Sequence, residues 1–279
     1  MARGTCLCGD VVFRAEGPFA WMSHCHCSRC RKAHGTAYAS LAATPDLGFS
    51  ARGASARFES SPGFFRCFCA RCGSATPGDA ADGQRFVPLG GFDGDPGVRP
   101  QAHIFVASRA PWFSLRDALP RFDAYPPGFA APVLAERAPL DPPGPIRGSC
   151  LCGGVGFAIT EQPPIARFCH CSRCRKARAA AFASNWLVPE TAIRFTRGSA
   201  LLASYKIPDA LRFTQTFCRV CGGKLPRVDP ERKLAVVPLG ALDDDPGVRP
   251  REHIFVASKA AWDEIHDDLP QHAELPPGL

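Results

Sequence analysis

The chain has 279 residues, 46% of them hydrophobic and 21% charged, with a formal net charge of +7. That length predicts two domains of about 100–200 residues, and the composition is that of a folded chain, not a disordered one. No apolar run approaches the roughly 18–20 residues of a membrane span, and the opening MARGTCLCGD has no apolar signal core, so neither membrane insertion nor secretion is expected. Fifteen cysteines in such a chain point to metal-bound or reactive thiols in a reducing cytoplasm and away from disulfides.

In chain order, short apolar runs alternate with Gly, Pro and Asp turns: VVFRA (11–15), FVPLG (86–90), HIFVAS (103–108) and AVVPLG (235–240). The pattern predicts short β-strands at frequent spacing. The best helical candidates follow the CHCSRC motifs, in RKAHGTAYA and RKARAAAFA, which are rich in helix formers. The expected fold class is mostly β with short helical turns.

Long motifs recur. CHCSRCRKA stands at 25–33 and 169–177, DPGVRP at 95–100 and 245–250, and HIFVAS at 103–108 and 253–258. The unit is far longer than a solenoid repeat, so it is a duplicated domain. The offset between copies grows from 144 at Cys6 and Cys150 to 149 at Cys69 and Cys218, which predicts an insertion in copy two around Lys206–Arg212. Copy one is expected at 1–129 and copy two at 147–279, joined by a semi-rigid Pro/Ala-rich linker at 130–146.

Fourteen cysteines fall into three clusters per copy. C-x-C-G supplies Cys6 and Cys8, then Cys150 and Cys152. C-x-C-x-x-C supplies Cys25, Cys27 and Cys30, then Cys169, Cys171 and Cys174. F-C-x-x-C-G supplies Cys69 and Cys72, then Cys218 and Cys221. Cys67 is left over, opposite Thr216. Thiolates on one zinc lie about 3.8 Å apart, closer than alternate residues of a strand, so C-x-C belongs in a turn. Gly9, Gly153, Gly73 and Gly222 permit such turns and leave N–H groups free to face sulfur.

The natural partition is four plus three. C-x-C and C-x-x-C together close a structural site, whereas three cysteines leave a position for water, a thiol or another ligand. Two alternatives stay open for the triads. One is a fourth ligand from His24, His26, His170, His103 or His253, and the other is redox-active thiols. The flanking Arg29, Arg31 and Lys32, with Arg173, Arg175 and Lys176, are read either as thiolate or substrate partners or as a solvated face. Trp112 and Trp262 are expected in the core. Pro88, Gly90, Pro238 and Gly240 are expected in strand-end turns, and Asp93, Asp95 and Asp243–Asp245 in a polar loop.

These motifs, together with R-x-F-C-x-x-C-G (Arg66 to Gly73) and the closing H-I-F-V-A-S-R/K-A-x-W segment, resemble the glutathione-dependent formaldehyde-activating enzyme family, which includes centromere protein V. The resemblance covers both copies. It implies tandem Mss-four-like domains of several coiled β-sheets, with a structural zinc on Cys6, Cys8, Cys69 and Cys72 and another on Cys150, Cys152, Cys218 and Cys221. It implies a second, exchangeable zinc on Cys25, Cys27 and Cys30, matched by Cys169, Cys171 and Cys174. Two zinc ions per domain make four per chain, with glutathione as co-substrate. The implied activity is carbon–sulfur lyase chemistry on thiol–aldehyde adducts such as that of glutathione and formaldehyde. Copy one keeps the family's Gly after the motif (Gly35), and copy two has Ala179 instead.

The competing reading is a non-enzymatic zinc module that binds a thiol, protein or nucleic acid. Four loaded sites subtract about six charges and reduce the net charge to about +1. No long Lys/Arg run interleaves with aromatics, so nucleic acid is not the expected partner and a small-molecule thiol and aldehyde are.

Overall fold

The computed structural model describes residues 1–45, 49–78, 83–129, 133–134, 144–160 and 165–276. Most of the predicted linker lies outside them, and Ile146 already opens a strand. The fold is mostly β, as expected. Each copy carries two three-stranded sheets and one five-stranded sheet among the described residues.

In copy one, Ala2–Thr5, Val12–Ala15 and Phe49–Arg52 form the first sheet, and Ser55–Ser61, Phe64–Cys69 and Ala75–Thr76 the second. Alternation sets their faces: Phe13 and Ala15 point inward, and Arg14 outward. The five-stranded sheet runs in the order Arg121–Phe122, Ala102–Ile104, Trp21–Cys25, Ala39–Pro45, Gln84–Pro88. Its central strands are almost wholly buried, as strands covered on both faces must be. Copy two repeats the plan with one change. Its five-stranded sheet lacks the counterpart of Arg121–Phe122 and gains Arg227–Asp229 at the opposite edge.

The helices lie one turn earlier than the composition predicts. α1 (Ser28–His34) and α2 (Ser172–Arg178) begin inside the cysteine motif, with Cys27 and Cys171 as N-caps that accept the Cys30 and Cys174 N–H groups. Side-chain capping outweighs propensity in so short a helix. HIFVAS is only half strand. Phe105 and Phe255 turn into the left-handed region at φ 58, and a 3-10 turn follows each. The extra residues of copy two are also more dispersed than the sequence offset implies. Five residues separate Glu59 from Phe65 in copy one, and seven separate the matching Lys206 and Thr214. The rest enter at an irregularity beside Gly156 and Phe157 and in the 3-10 turn Ser199–Leu201.

The two copies pack much as the halves of an isologous dimer, and the lysine contacts of α1 and α2 mirror each other. Lys32 Nζ donates to Ser149 O at 2.8 Å and Ala241 O at 3.1 Å, and pairs with Asp243 at 2.7 Å. Lys176 Nζ donates to Thr5 O at 3.3 Å and Gly91 O at 2.6 Å, and pairs with Asp93 at 2.6 Å. Gly90 and Gly240 do more than turn the chain. A Cβ on Gly90 would lie 2.1 Å from Ala180 N, and one on Gly240 2.5 Å from Thr36 N, so their bareness lets the opposite copy approach. One apolar core runs through both halves. Phe13, Met22, Leu89 and Trp112 belong to the same cluster as Phe157, Trp186, Leu239 and Trp262. Both tryptophans are in the core, as expected.

On the pseudo-twofold axis stands a residue with no counterpart. Lys224 occupies the strand position that Ala75 holds in copy one. Its buried Nζ donates to Gly73 O and, at 2.9 Å, to the equivalent Gly222 O.

Candidate metal centres

The turns predicted around C-x-C form. Gly9 and Gly153 adopt φ 80 and 75, and Gly73 and Gly222 adopt φ 72 and 68. These folds bring Cys6, Cys8, Cys69 and Cys72 together, and likewise Cys150, Cys152, Cys218 and Cys221, with all sulfurs of a group within 4.8 Å. Cys6 and Cys8 Sγ lie 3.4 Å apart, Cys8 and Cys69 3.6 Å, and Cys152 and Cys218 3.9 Å. Backbone N–H groups face the sulfurs: Val11 donates to Cys6 and Val155 to Cys150, both at 3.2 Å. Four mutually close, largely buried thiols with N–H donors suit a tetrahedral thiophilic ion such as zinc.

The triads form from three adjoining elements. The strand Trp21–Cys25 ends on the first cysteine, His26 turns the chain, and Cys27 and Cys30 follow on α1. Cys25, Cys27 and Cys30 make one metal-capable group, and Cys169, Cys171 and Cys174 another. The predicted partition of four plus three is therefore the one the fold makes. Cys67 joins neither group and sits on a sheet strand opposite Thr76.

Among the described residues no histidine joins either triad. The five candidate histidines are held elsewhere. His26 Nε2 lies 2.9 Å from His103 Nδ1, and His103 Nε2 2.9 Å from Asp117. Copy two repeats the chain with His170, His253 and Asp267, at 2.8 and 3.0 Å. The acceptor carboxylate fixes the tautomers: the outer histidine donates to it through Nε2, and the inner one donates through Nε2 to the outer Nδ1. The sequence does not announce these relays, because Asp117 and Asp267 lie fourteen residues beyond their histidines in irregular chain. His24 bonds Ser40 Oγ at 3.0 Å, and burial pushes it down to about 3. His170 falls likewise to about 3, chiefly through burial. These rings are neutral near pH 7.

Lys32, Lys176, Arg31 and Arg175 form fixed internal bonds. Lys32 and Lys176 tie the copies together, and Arg31 and Arg175 Nε donate to His26 O and His170 O at 3.3 Å. The guanidinium that meets a thiol comes from elsewhere. Arg66 Nη2 donates to Cys30 Sγ at 3.4 Å, and its Nε donates to Ser60 at 3.1 Å. Copy two has Gln215 there, turned to Ala177 O at 3.4 Å. Instead it carries Arg178 where copy one has His34. Burial lowers Arg178 to about 10, and nearby Cys174 and Cys169 oppose that.

The fold and the four thiol clusters define a tandem pair of cysteine-rich β domains able to hold metal ions. The profile of the glutathione-dependent formaldehyde-activating enzyme (GFA) family matches residues 1–108 and again 145–258, and the chain belongs to that enzyme family as a duplication of its domain. Among solved structures, a crystal structure of a Rhodobacter sphaeroides protein is 28% identical, covering 38% of this chain and 93% of that one with a TM-score of 0.29. Among curated proteins nothing matches. No described helix is long and apolar enough to cross a membrane.

Proposed function

We propose that the chain is a zinc-dependent carbon–sulfur lyase-type enzyme that joins or separates a thiol and a small aldehyde, glutathione and formaldehyde being the leading pair. The observation that carries this reading is the cysteine triad beside a complete tetrad in each copy. The domain limits are 1–129 and 147–279, and the reducing cytoplasm is where fifteen thiols stay available. Cys6, Cys8, Cys69 and Cys72 hold a structural zinc, as do Cys150, Cys152, Cys218 and Cys221. Cys25, Cys27 and Cys30, with Cys169, Cys171 and Cys174, hold the exchangeable ions, giving four per chain. Zinc with three protein thiolates supplies a coordination position where an incoming thiol is bound as thiolate.

The chain's own residues set the conditions for that exchange. Burial of Cys25, Cys27, Cys30, Cys169 and Cys174 keeps bulk water away from those sulfurs. Arg66 offsets thiolate charge in copy one, and Arg178 does so in copy two. The His26–His103–Asp117 chain fixes the turn that presents Cys25 and Cys27, and the His26 N–H donates to Ile104 O at 3.0 Å. The test is native mass spectrometry with and without glutathione, alongside proton NMR of glutathione and formaldehyde exchange. Four zinc ions, a glutathione adduct and accelerated exchange are expected, with exchange lost in the Cys27→Ser/Cys171→Ser protein. Two zinc ions and no adduct would overturn the enzyme reading in favour of a binding module.

A further inference from the structure

The two triads have the same donors and different surroundings. In copy one, Cys25, Cys27 and Cys30 are 5%, 8% and 2% exposed, and Ser28 between them is buried. The strand Arg121–Phe122 pairs in parallel with His103–Ile104, and the chain beyond it lays Ala124 and Tyr125 against the triad together with Phe122. Tyr125 sits edge-on to Phe105, with centroids 4.8 Å apart, and Phe129 stacks on Tyr125 at 5.0 Å. From the other side, Arg66 bonds Cys30 Sγ.

Among the described residues, copy two keeps the backbone course and loses the cover. The Phe255 N–H still reaches Glu274 O at 3.1 Å, as that of Phe105 reaches Ala124 O at 3.2 Å. The covering side chains are changed: Glu274 and Leu275 replace Ala124 and Tyr125, and both are exposed. The backbone pairing persists, with the His253 N–H donating to Pro270 O at 2.8 Å and the His272 N–H to His253 O at 2.9 Å. Cys171 is partly exposed, and Ser172 and Arg173 are open to solvent. Gln215 in place of Arg66 removes the hydrogen bond to the third cysteine, and Arg178 supplies the charge near Cys174 instead.

Phe213 packs against the triad of copy two.

Building on the function proposed above, we infer that copy two alone exchanges its thiol ligand, through the Cys169–Cys171–Cys174 triad, while side-chain cover keeps an incoming thiol from the triad of copy one. Two measurements test this. Zinc-loaded protein is treated with limiting iodoacetamide, and its peptides are quantified by mass spectrometry. Cys171 is expected to react about tenfold faster than Cys27, and the Arg66→Gln/Tyr125→Leu protein to bring Cys27 most of the way to the Cys171 rate. Equal rates in the unaltered protein would overturn the inference and leave the enzyme reading standing. In cobalt-loaded protein, glutathione is expected to shift the thiolate-to-cobalt absorption. Cys171→Ser should remove that shift, and Cys27→Ser should leave it nearly intact. Equal losses, or loss only in Cys27→Ser, would overturn the assignment. No shift in the unaltered protein would overturn the enzyme reading and this inference with it.

Discussion

Lys32 Nζ lies 2.7 Å from Asp243 Oδ1, so a charge on the helix of one copy is neutralised by a carboxylate of the other. The lysine side chain is 4% exposed and the aspartate 18%, whereas the mirror pair Lys176–Asp93 is 17% and 32% exposed. Removing one partner of a buried pair strands the other and costs about 3–5 kcal/mol, but exposed pairs are worth about 1 kcal/mol or less. Lys32→Ala is therefore expected to destabilise the protein several times more than Lys176→Ala. Denaturant unfolding with excess zinc measures both.

Ala179 ends α2 at φ 49, in the left-handed region that Gly35 occupies at the end of α1. A Cβ there costs about 1 kcal/mol, so Ala179→Gly should stabilise the chain by about that amount. Gly35→Ala should cost more, because its Cβ would come 2.7 Å from that of Lys224. Thermal unfolding of the two variants should move in opposite directions.

Asp263 replaces Phe113 at the inner end of the copy-two relay, 3.8 Å from His170 Nδ1. Burial raises it from 3.8 to about 7, against the opposing pull of Lys259 and Arg175. The folded state thus holds a proton that the unfolded state has released, and stability falls as pH rises between those two values. Asp263→Asn should be the more stable protein at pH 8. Its advantage should shrink by about 1.4 kcal/mol per pH unit below 7, as chemical unfolding from pH 6 to 8 would show.

A single apolar core spans both copies, so they are expected to unfold as one unit. Cys72→Ser, which breaks only the copy-one tetrad, should give one cooperative transition at lower temperature and not two. Calorimetry that resolved an unchanged copy-two transition would contradict this.

The cysteine chemistry was legible in the sequence because close pairs carry their own geometry: a C-x-C followed by Gly can do little else than turn. The strands were legible from Gly and Pro punctuation. What stayed hidden depends on contacts between distant segments. Lysine is normally a surface residue, so nothing in CRK told that Lys32 and Lys176 would be anchors between copies. Gly90 and Gly240 looked like turn glycines, and their second role needs Ala180 and Thr36 beside them. The left-handed turn at Phe105 and Phe255 was invisible because propensity favours strand for Phe, and packing beside the triads overrides it.

A point on a dyad has room for one side chain, and two identical subunits would each have to offer the same one. Were both positions lysine, two ammonium groups would compete for the same pair of carbonyls; were both alanine, the carbonyls of Gly73 and Gly222 would lose their shared donor. Joining the copies in one polypeptide frees Lys224 and Ala75 to differ. The fusion thereby makes available a central contact that no symmetric assembly of one such domain could form.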